Sequence, residues 1–409
     1  MSRRYVTPAH PLLTRKPVVP GFRAAGIHCG IKARGRDLAL ITSDLPATVA
    51  GVFTRSTVVG APVEWCRERA KSGRGLAVIV NSGISNVAMG ERGRRDARRM
   101  AEWTARAIGC EAEEVFVAST GVIGEPLPMT KLRAGIPRVA RRLRLEGLGD
   151  AAEAIRTTDT FAKTAGIPVR LGRRTVTVAG IAKGSGMIEP NMATMLSFLI
   201  TDAAVSKVYL RRVLREVADE TYNRVTIDGE SSTSDTVLLL ANGAAGNPRI
   251  TGPASPGAAA FRRGLGQVAE SLARDLARDG EGATKLVSVR VQGAKNAAQA
   301  ELAARRIANS LLVKTAIFGA DPNWGRILQT LGAGRVALRL DSVVVELCGV
   351  PVFRRGASAG SAARRRAARR LLDDEVEIEV SLGVGKASAR VWTCDLSYDY
   401  IRINAEYTT

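Results

Sequence analysis

The chain runs to 409 residues with 45% hydrophobic and 24% charged side chains, a globular composition with room for two domains and a large core. Its apolar runs stop far short of the roughly 18 residues that a bilayer span needs, and the N-terminal segment lacks the apolar stretch of a secretory signal, so the reading is a cytoplasmic protein with no membrane partner. A net charge of +21 is the footprint that nucleic-acid binding leaves, but aromatics at 4% are too few for a base-stacking platform, which argues against a nucleic-acid partner.

In chain order, Leu38 to Ile41, Ala77 to Val80 and Val115 to Ala118 are short apolar runs that alternate with helical periodicity, which predicts an α/β or α+β protein. Arginines mark outer faces. Arg94, Arg95, Arg98 and Arg99 on one predicted helix, Arg138, Arg141, Arg142 and Arg144 on a second, and Arg364, Arg365, Arg366, Arg369 and Arg370 on a third alternate with small or apolar residues, as solvated faces do. Met195 to Ile200 reads as a buried strand. Ser206 is a predicted N-cap, followed by Leu210, Val213, Leu214 and Val217 at helical spacing. Ser255-Pro256 opens another helix with Phe261, Leu265, Val268, Leu272 and Leu276 on one face and a stop at Gly280. Beyond it, Leu286 to Val291, Val343 to Leu347, Glu375 to Val380 and Ala387 to Trp392 alternate as half-buried strands around a helix from Ala294 to about Leu311. The change of character places a domain boundary near residue 285. Leu382 to Ser388, LGVGKAS, imitates a phosphate loop, but Val380 and Ala387 stand where that loop needs a glycine and a hydroxyl, so it reads as a turn between strands.

Five cysteines stand singly and only His10 and His28 could join them, so no zinc set is assembled and buried thiols in a reducing compartment are expected. The same scarcity removes the usual histidine base from catalysis. Attention falls on Lys183 to Asp202, KGSGMIEPNMATMLSFLITD, where a glycine-rich loop gives way to the apolar run at Thr194. Thr194 reads in two ways. As a β-branched residue it opens a core strand; as a nucleophile it needs a base, and its own α-amine, once the Ala193-Thr194 bond is cut, has a reference pKa of about 7.7 to 8.0.

Lys183 to Leu196 resembles the processing segment of the ornithine acetyltransferases, also called glutamate N-acetyltransferases of arginine biosynthesis. Six further blocks resemble the family in order: Gly21 to Gly26, Ser119 to Pro126, Thr157 to Thr160, Asp279 to Lys285, Phe318 to Arg326 and Trp392 to Tyr400. They cover nearly the whole chain. The resemblance implies an αββα-type nucleophile domain over residues 1–285, cut between Ala193 and Thr194 into two chains, and a smaller α/β domain over residues 286–409. It also implies an acetyltransferase that moves acetyl from N2-acetylornithine to glutamate through acetyl-Thr194, with no cofactor, acetyl-CoA as a further candidate donor, and two of each chain assembling as a heterotetramer.

Carried over by position, the resemblance makes Thr194 the nucleophile, Thr120 and Gly121 the oxyanion hole, and Thr157, Lys183, Thr194, Glu281, Asn404 and Thr409 the substrate contacts. Lys183 and Asn404 suit an α-carboxylate and Glu281 a side-chain ammonium. On the residues alone, Thr120 and Gly121 read as a turn after a strand, Glu281 as a solvated acid past a helix end, and Asn404 and Thr409 as an untethered terminus. The segment Asn81 to Ala88 departs from the family's pattern at Ile84 and Val87, and Ser234 does so before Asp235. Two other readings compete: a self-processing amidohydrolase or aminopeptidase in which water takes the acyl group, and, more remotely, a basic RNA-binding protein.

Overall fold

The structure, a computed structural model, describes residues 13–189 and 195–406. Among these, eight strands form one sheet: β1 (Phe22–Ile27), β2 (Leu38–Phe53), β3 (Arg74–Ile84), β4 (Val115–Val122), β5 (Lys163–Leu171), β6 (Arg174–Lys183), β7 (Leu196–Thr201) and β8 (Thr236–Ala241), in the order β4-β3-β2-β8-β7-β6-β5 with β1 on β2. The accompanying helices are α1 (Ala61–Arg69), α2 (Gly90–Ile108), α3 (Met129–Ala140), α4 (Leu148–Ala154), α5 (Lys207–Glu220) and α6 (Ala258–Arg278).

The long strand β2 decides the shape. Asp44, Leu45 and Pro46 are exposed in its middle, and its register on β3 breaks between Thr42 and Ala47. Proline has no N–H for a ladder, so the strand bends there; its first half pairs with β1 and its second with β8. The two halves of the sheet therefore fold face to face, and alternation sorts their side chains. Leu38 and Leu40 point outward with Ile79 and Val117 onto α2 and α3. Ala39 and Ile41 point inward to meet Ile181, Phe198 and Leu238 of the opposite half, with α4 packed in the same core. Leu199 and Leu239 face α5 and α6. Helix, sheet, sheet, helix is a layered αββα arrangement.

A second sheet, order β12-β11-β10-β13-β9-β14, is built from β9 (Leu286–Ala294), β10 (Val344–Leu347), β11 (Val350–Arg354), β12 (Ala357–Ser358), β13 (Glu375–Ser381) and β14 (Ala387–Cys394). It carries α7 (Ala297–Ala308), α8 (Leu311–Phe318), α9 (Trp324–Ala333) and α10 (Ser361–Arg370), and the described chain ends in α11 (Tyr398–Glu406). No helix of the described residues is long and apolar enough to cross a membrane.

Several local expectations need adjusting. The helix expected from Ala294 to Leu311 is two: Asn296 caps α7, and Ser310 accepts from the Val313 N–H to start α8. Ser206 does cap α5, accepting from the Tyr209 N–H. The next helix starts two residues beyond Pro256, after Gly257, and Asp279 rather than Gly280 caps its end. Arg141, Arg142 and Arg144 are exposed, but past the end of α3. The LGVGKAS segment does turn between β13 and β14. Of the thiols, Cys66 and Cys394 are buried whereas Cys29, Cys110 and Cys348 are half-buried.

Candidate active site

Thr120 and Gly121 lie inside β4, which runs on to Val122, and not in a turn after it; they pair with Ser82 and Gly83 of the parallel strand β3. Gly121 has φ +127°, and a Cβ there would stand 2.2 Å from the Gly83 carbonyl carbon, so only glycine permits this approach. Lys183 ends β6 opposite Leu196 at the start of β7. Its ammonium donates to Thr157 Oγ1 at 2.7 Å and Thr120 Oγ1 at 3.2 Å. Lysine only donates, so each hydroxyl accepts there and keeps its own proton to donate elsewhere.

Behind this wall lies a buried ionic network. Asp159 accepts from Lys163 Nζ and the Gly184 N–H, both at 2.7 Å, and from the Thr157 N–H at 3.0 Å. Lys163, fully buried, also donates to Asp279, which accepts in turn from the Thr160 N–H and hydroxyl. Burial alone raises the Asp159 carboxyl, but the neighbouring ammoniums and hydrogen bonds outweigh it and hold the group well below the usual carboxylate range. Burial lowers the Lys183 ammonium, and the Asp159 carboxylate offsets only part of that.

The facing wall is tied in from the C-terminal side. Asp395, just past β14, accepts from the Thr284 and Lys285 N–H groups at 2.8 and 3.0 Å, and Ser397 donates to the Gly282 carbonyl. These bonds lay α11 over the loop that carries Glu281. Asn404 Nδ2 donates to Glu281 Oε2 at 2.9 Å, so Asn404 belongs with Glu281, and neither the solvated acid nor the loose terminus describes them. The Glu281 N–H donates to the Ser185 carbonyl at 2.7 Å, and a Cβ on Gly186 would collide with the Glu281 carboxylate.

Between the walls is a cavity of about 360 Å³, within the range that small ligands fill. Thr120, Gly121, Thr157, Lys183, Glu281 and Asn404, far apart in sequence, all line it, beside Met195. Ala193, Thr194 and Thr409 lie outside the described residues. Asp159, Asp279 and Tyr400 sit in quoted motifs without an expected role, and Lys163 and Asp228 lie outside those motifs; Tyr400 and Asp228 line the cavity, the phenol donating to the carboxylate at 3.5 Å. Asp235 also lines the cavity: burial pushes its carboxyl well above the usual range, against the Met195 N–H and Lys183, and its Oδ2 has no hydrogen-bond partner among the described residues. Of the departures noted, Ser234 lines the cavity, whereas Val87 is buried away from it and Ile84 packs on the outer core; their neighbour Ser85 lines it.

These features define a layered αββα protein whose strand-end cavity is lined by hydroxyls, the Lys183 ammonium and the carboxyl groups of Asp228, Glu230, Asp235 and Glu281. The chain belongs to the ArgJ family, whose sequence profile matches residues 23–409. An arginine biosynthesis bifunctional protein ArgJ of Symbiobacterium thermophilum is 49% identical over 399 residues, 95% of this chain and 97% of that one. One from Geobacter sulfurreducens is 48% identical over 392 residues, 96% of this chain and 100% of that one. A crystal structure of arginine biosynthesis bifunctional protein ArgJ from Bacillus halodurans aligns with TM-score 0.50 and 41% identity, covering 52% of this chain and 100% of that chain.

Proposed function

We propose that this chain is a glutamate N-acetyltransferase that moves acetyl from N2-acetylornithine to glutamate, giving ornithine and N-acetylglutamate, with Thr194 as the acetyl carrier. The observation that supports it most is the convergence of Thr120, Gly121, Thr157, Lys183, Glu281 and Asn404 on one cavity that reaches Met195, one peptide bond from Thr194. The first step is self-cleavage. Thr194 Oγ attacks the Ala193 carbonyl, the Ala193-Thr194 C–N bond breaks, the hydroxyl proton passes to the departing nitrogen, and water hydrolyses the resulting ester. The freed α-amine is then the base, as suits a chain with two histidines.

In the transfer cycle Thr194 Oγ attacks the donor's acetyl carbonyl while the amine takes its proton. The Thr120 hydroxyl and Gly121 N–H donate to the developing oxyanion, an effect worth roughly 3 to 4 kcal/mol per donor. The amide C–N bond breaks, the proton passes to the leaving ornithine nitrogen, and the α-amine of glutamate then attacks the ester and restores Thr194. Lys183 and Thr157 hold the α-carboxylate, Glu281 braced by Asn404 takes the distal ammonium of ornithine, and Thr409 completes the contacts. Acetyl-CoA enters as a second donor to the same ester. No metal or cofactor takes part, and the cleaved chains work as a cytoplasmic heterotetramer of two each.

Mass spectrometry tests the carrier. Incubation with N2-acetylornithine alone should add one acetyl group to the fragment beginning at Thr194, and steady-state kinetics should be ping-pong. Active protein that remains uncut, or intersecting double-reciprocal lines with no acetylated fragment, overturns the mechanism; acetate release independent of glutamate makes the protein a hydrolase instead.

A further inference from the structure

Asp159 does not line the cavity, yet it is bonded to both segments that supply the cavity's cationic corner. One carboxylate collects the Thr157 N–H at 3.0 Å and the Gly184 N–H at 2.7 Å, so it stitches together the residues on either side of the Lys183 ammonium. The ammonium itself stands 4.0 Å from Asp159 Oδ2, beyond a hydrogen bond but within the reach of an ion pair. Lys183 therefore keeps its protons for Thr120, Thr157 and the cavity while feeling the carboxylate's field. The same carboxylate takes Lys163 Nζ at 2.7 Å, and Lys163 passes on to Asp279, two positions before Glu281. Asp159 and Lys163 precede the Ala193-Thr194 bond, and Asp279 follows it.

We infer that Asp159 is a positioning residue for Lys183, and that the run Asp159, Lys163, Asp279 sets the separation between the Lys183 ammonium and the Glu281 carboxylate across the cleavage point. The inference rests on the reading of Lys183 as the partner of the donor's α-carboxylate. A fixed spacing of cation and acid selects the length of a diamino acid. It also explains why a fully buried lysine is kept behind a polar site, since each carboxylate it joins holds one wall. The charged groups facing Lys183 are Asp159, Glu281 and Asp235 on the acidic side and Lys163 and Lys32 on the basic side. With Asp159 neutralised, the two lysines oppose its proton more strongly, and it titrates at lower pH.

The experiment is a double-mutant cycle of Asp159→Asn with Lys183→Gln, with circular dichroism to check folding. Asp159→Asn alone should raise KM for N2-acetylornithine about tenfold with a smaller change in kcat, as loss of a charged contact does. The basic limb of kcat/KM should move to lower pH, and Asp159→Glu should recover part of the loss. In the Lys183→Gln background, Asp159→Asn should add less than about twofold. Equal losses in both backgrounds, with the basic limb in place, reduce Asp159 to a structural residue and overturn the inference. Lys183→Gln with unchanged KM instead overturns the underlying assignment of the α-carboxylate. If Asp159→Asn does not fold, Asp279→Asn tests the run from its other end: a raised KM for N2-acetylornithine with the basic limb unmoved supports the tether, and an unchanged KM overturns it.

Discussion

The two walls of the cavity are built by different means. Buried Thr120 and Lys183 and half-buried Gly121 stand toward the ends of β4 and β6, where ladder bonds and a charged network behind them leave little freedom. Glu281, itself buried, and Asn404 come from the loop after α6 and from α11, a helix with no buried residue that is held down by Asp395, Ser397, the Asn404 and Tyr400 side-chain hydrogen bonds to Glu281 and Asp228, and the Tyr398 ring against Phe318. Groups that meet a developing charge must already be in place when it forms, which a strand end provides. Groups that recognise the far end of a substrate tolerate a looser mount.

The contrast is open to breaking at its strongest point. Gly121→Ala forces Cβ against Gly83 and displaces the N–H proposed for the oxyanion, so kcat should fall about 10²- to 10³-fold with KM little changed. A near-normal kcat would mean that the strand wall is not the rigid one. Next in size is stability. Lys163→Met leaves Asp159 and Asp279 facing each other in the interior, and urea unfolding should register a loss of roughly 3 to 5 kcal/mol, whereas an unchanged midpoint would show that the network does not pin that wall.

Asn404→Ala probes the looser wall. Losing one hydrogen bond to Glu281 should raise KM for N2-acetylornithine about three- to tenfold with kcat retained, and a fall in kcat instead would make both walls catalytic. Asp235→Asn should have the smallest effect. Its carboxyl is raised in the fold, so the folded state binds that proton more tightly than the unfolded chain does, and the associated stability is present at acid pH and lost as pH rises toward the folded value. The amide removes that dependence. Activity near neutrality should stay within about twofold and melting temperatures should match at low pH, with the variant the more stable on the alkaline side; coincident melting curves at every pH would remove the raised carboxyl from the account.

The strand runs Leu38 to Ile41, Ala77 to Val80 and Val115 to Ala118 and the cap at Ser206 were legible because alternation and capping act within a few residues. The helix expected over Ala294 to Leu311 breaks in two for a related reason: apolar residues persist at helical spacing across Asn309 and Ser310, and only the caps at those two positions mark the break locally. Most cavity residues were legible through motifs, yet their surroundings were not. Thr120 and Gly121 looked like turn residues because nothing nearby reports that β3 runs parallel beside them.

The sequence by itself determined many of the segments that become strands and helices, and it marked part of the cavity lining but not Asp228 or the run Glu230 to Thr233. Tertiary structure alone decided that β2 bends to stack one half of the sheet on the other, and that Lys163 meets Asp279, 116 positions away. In the sequence Lys163 is an ordinary lysine at the head of a strand. Its full burial needs charge partners, and Asp279 arrives through long-range packing that leaves no local pattern in the chain.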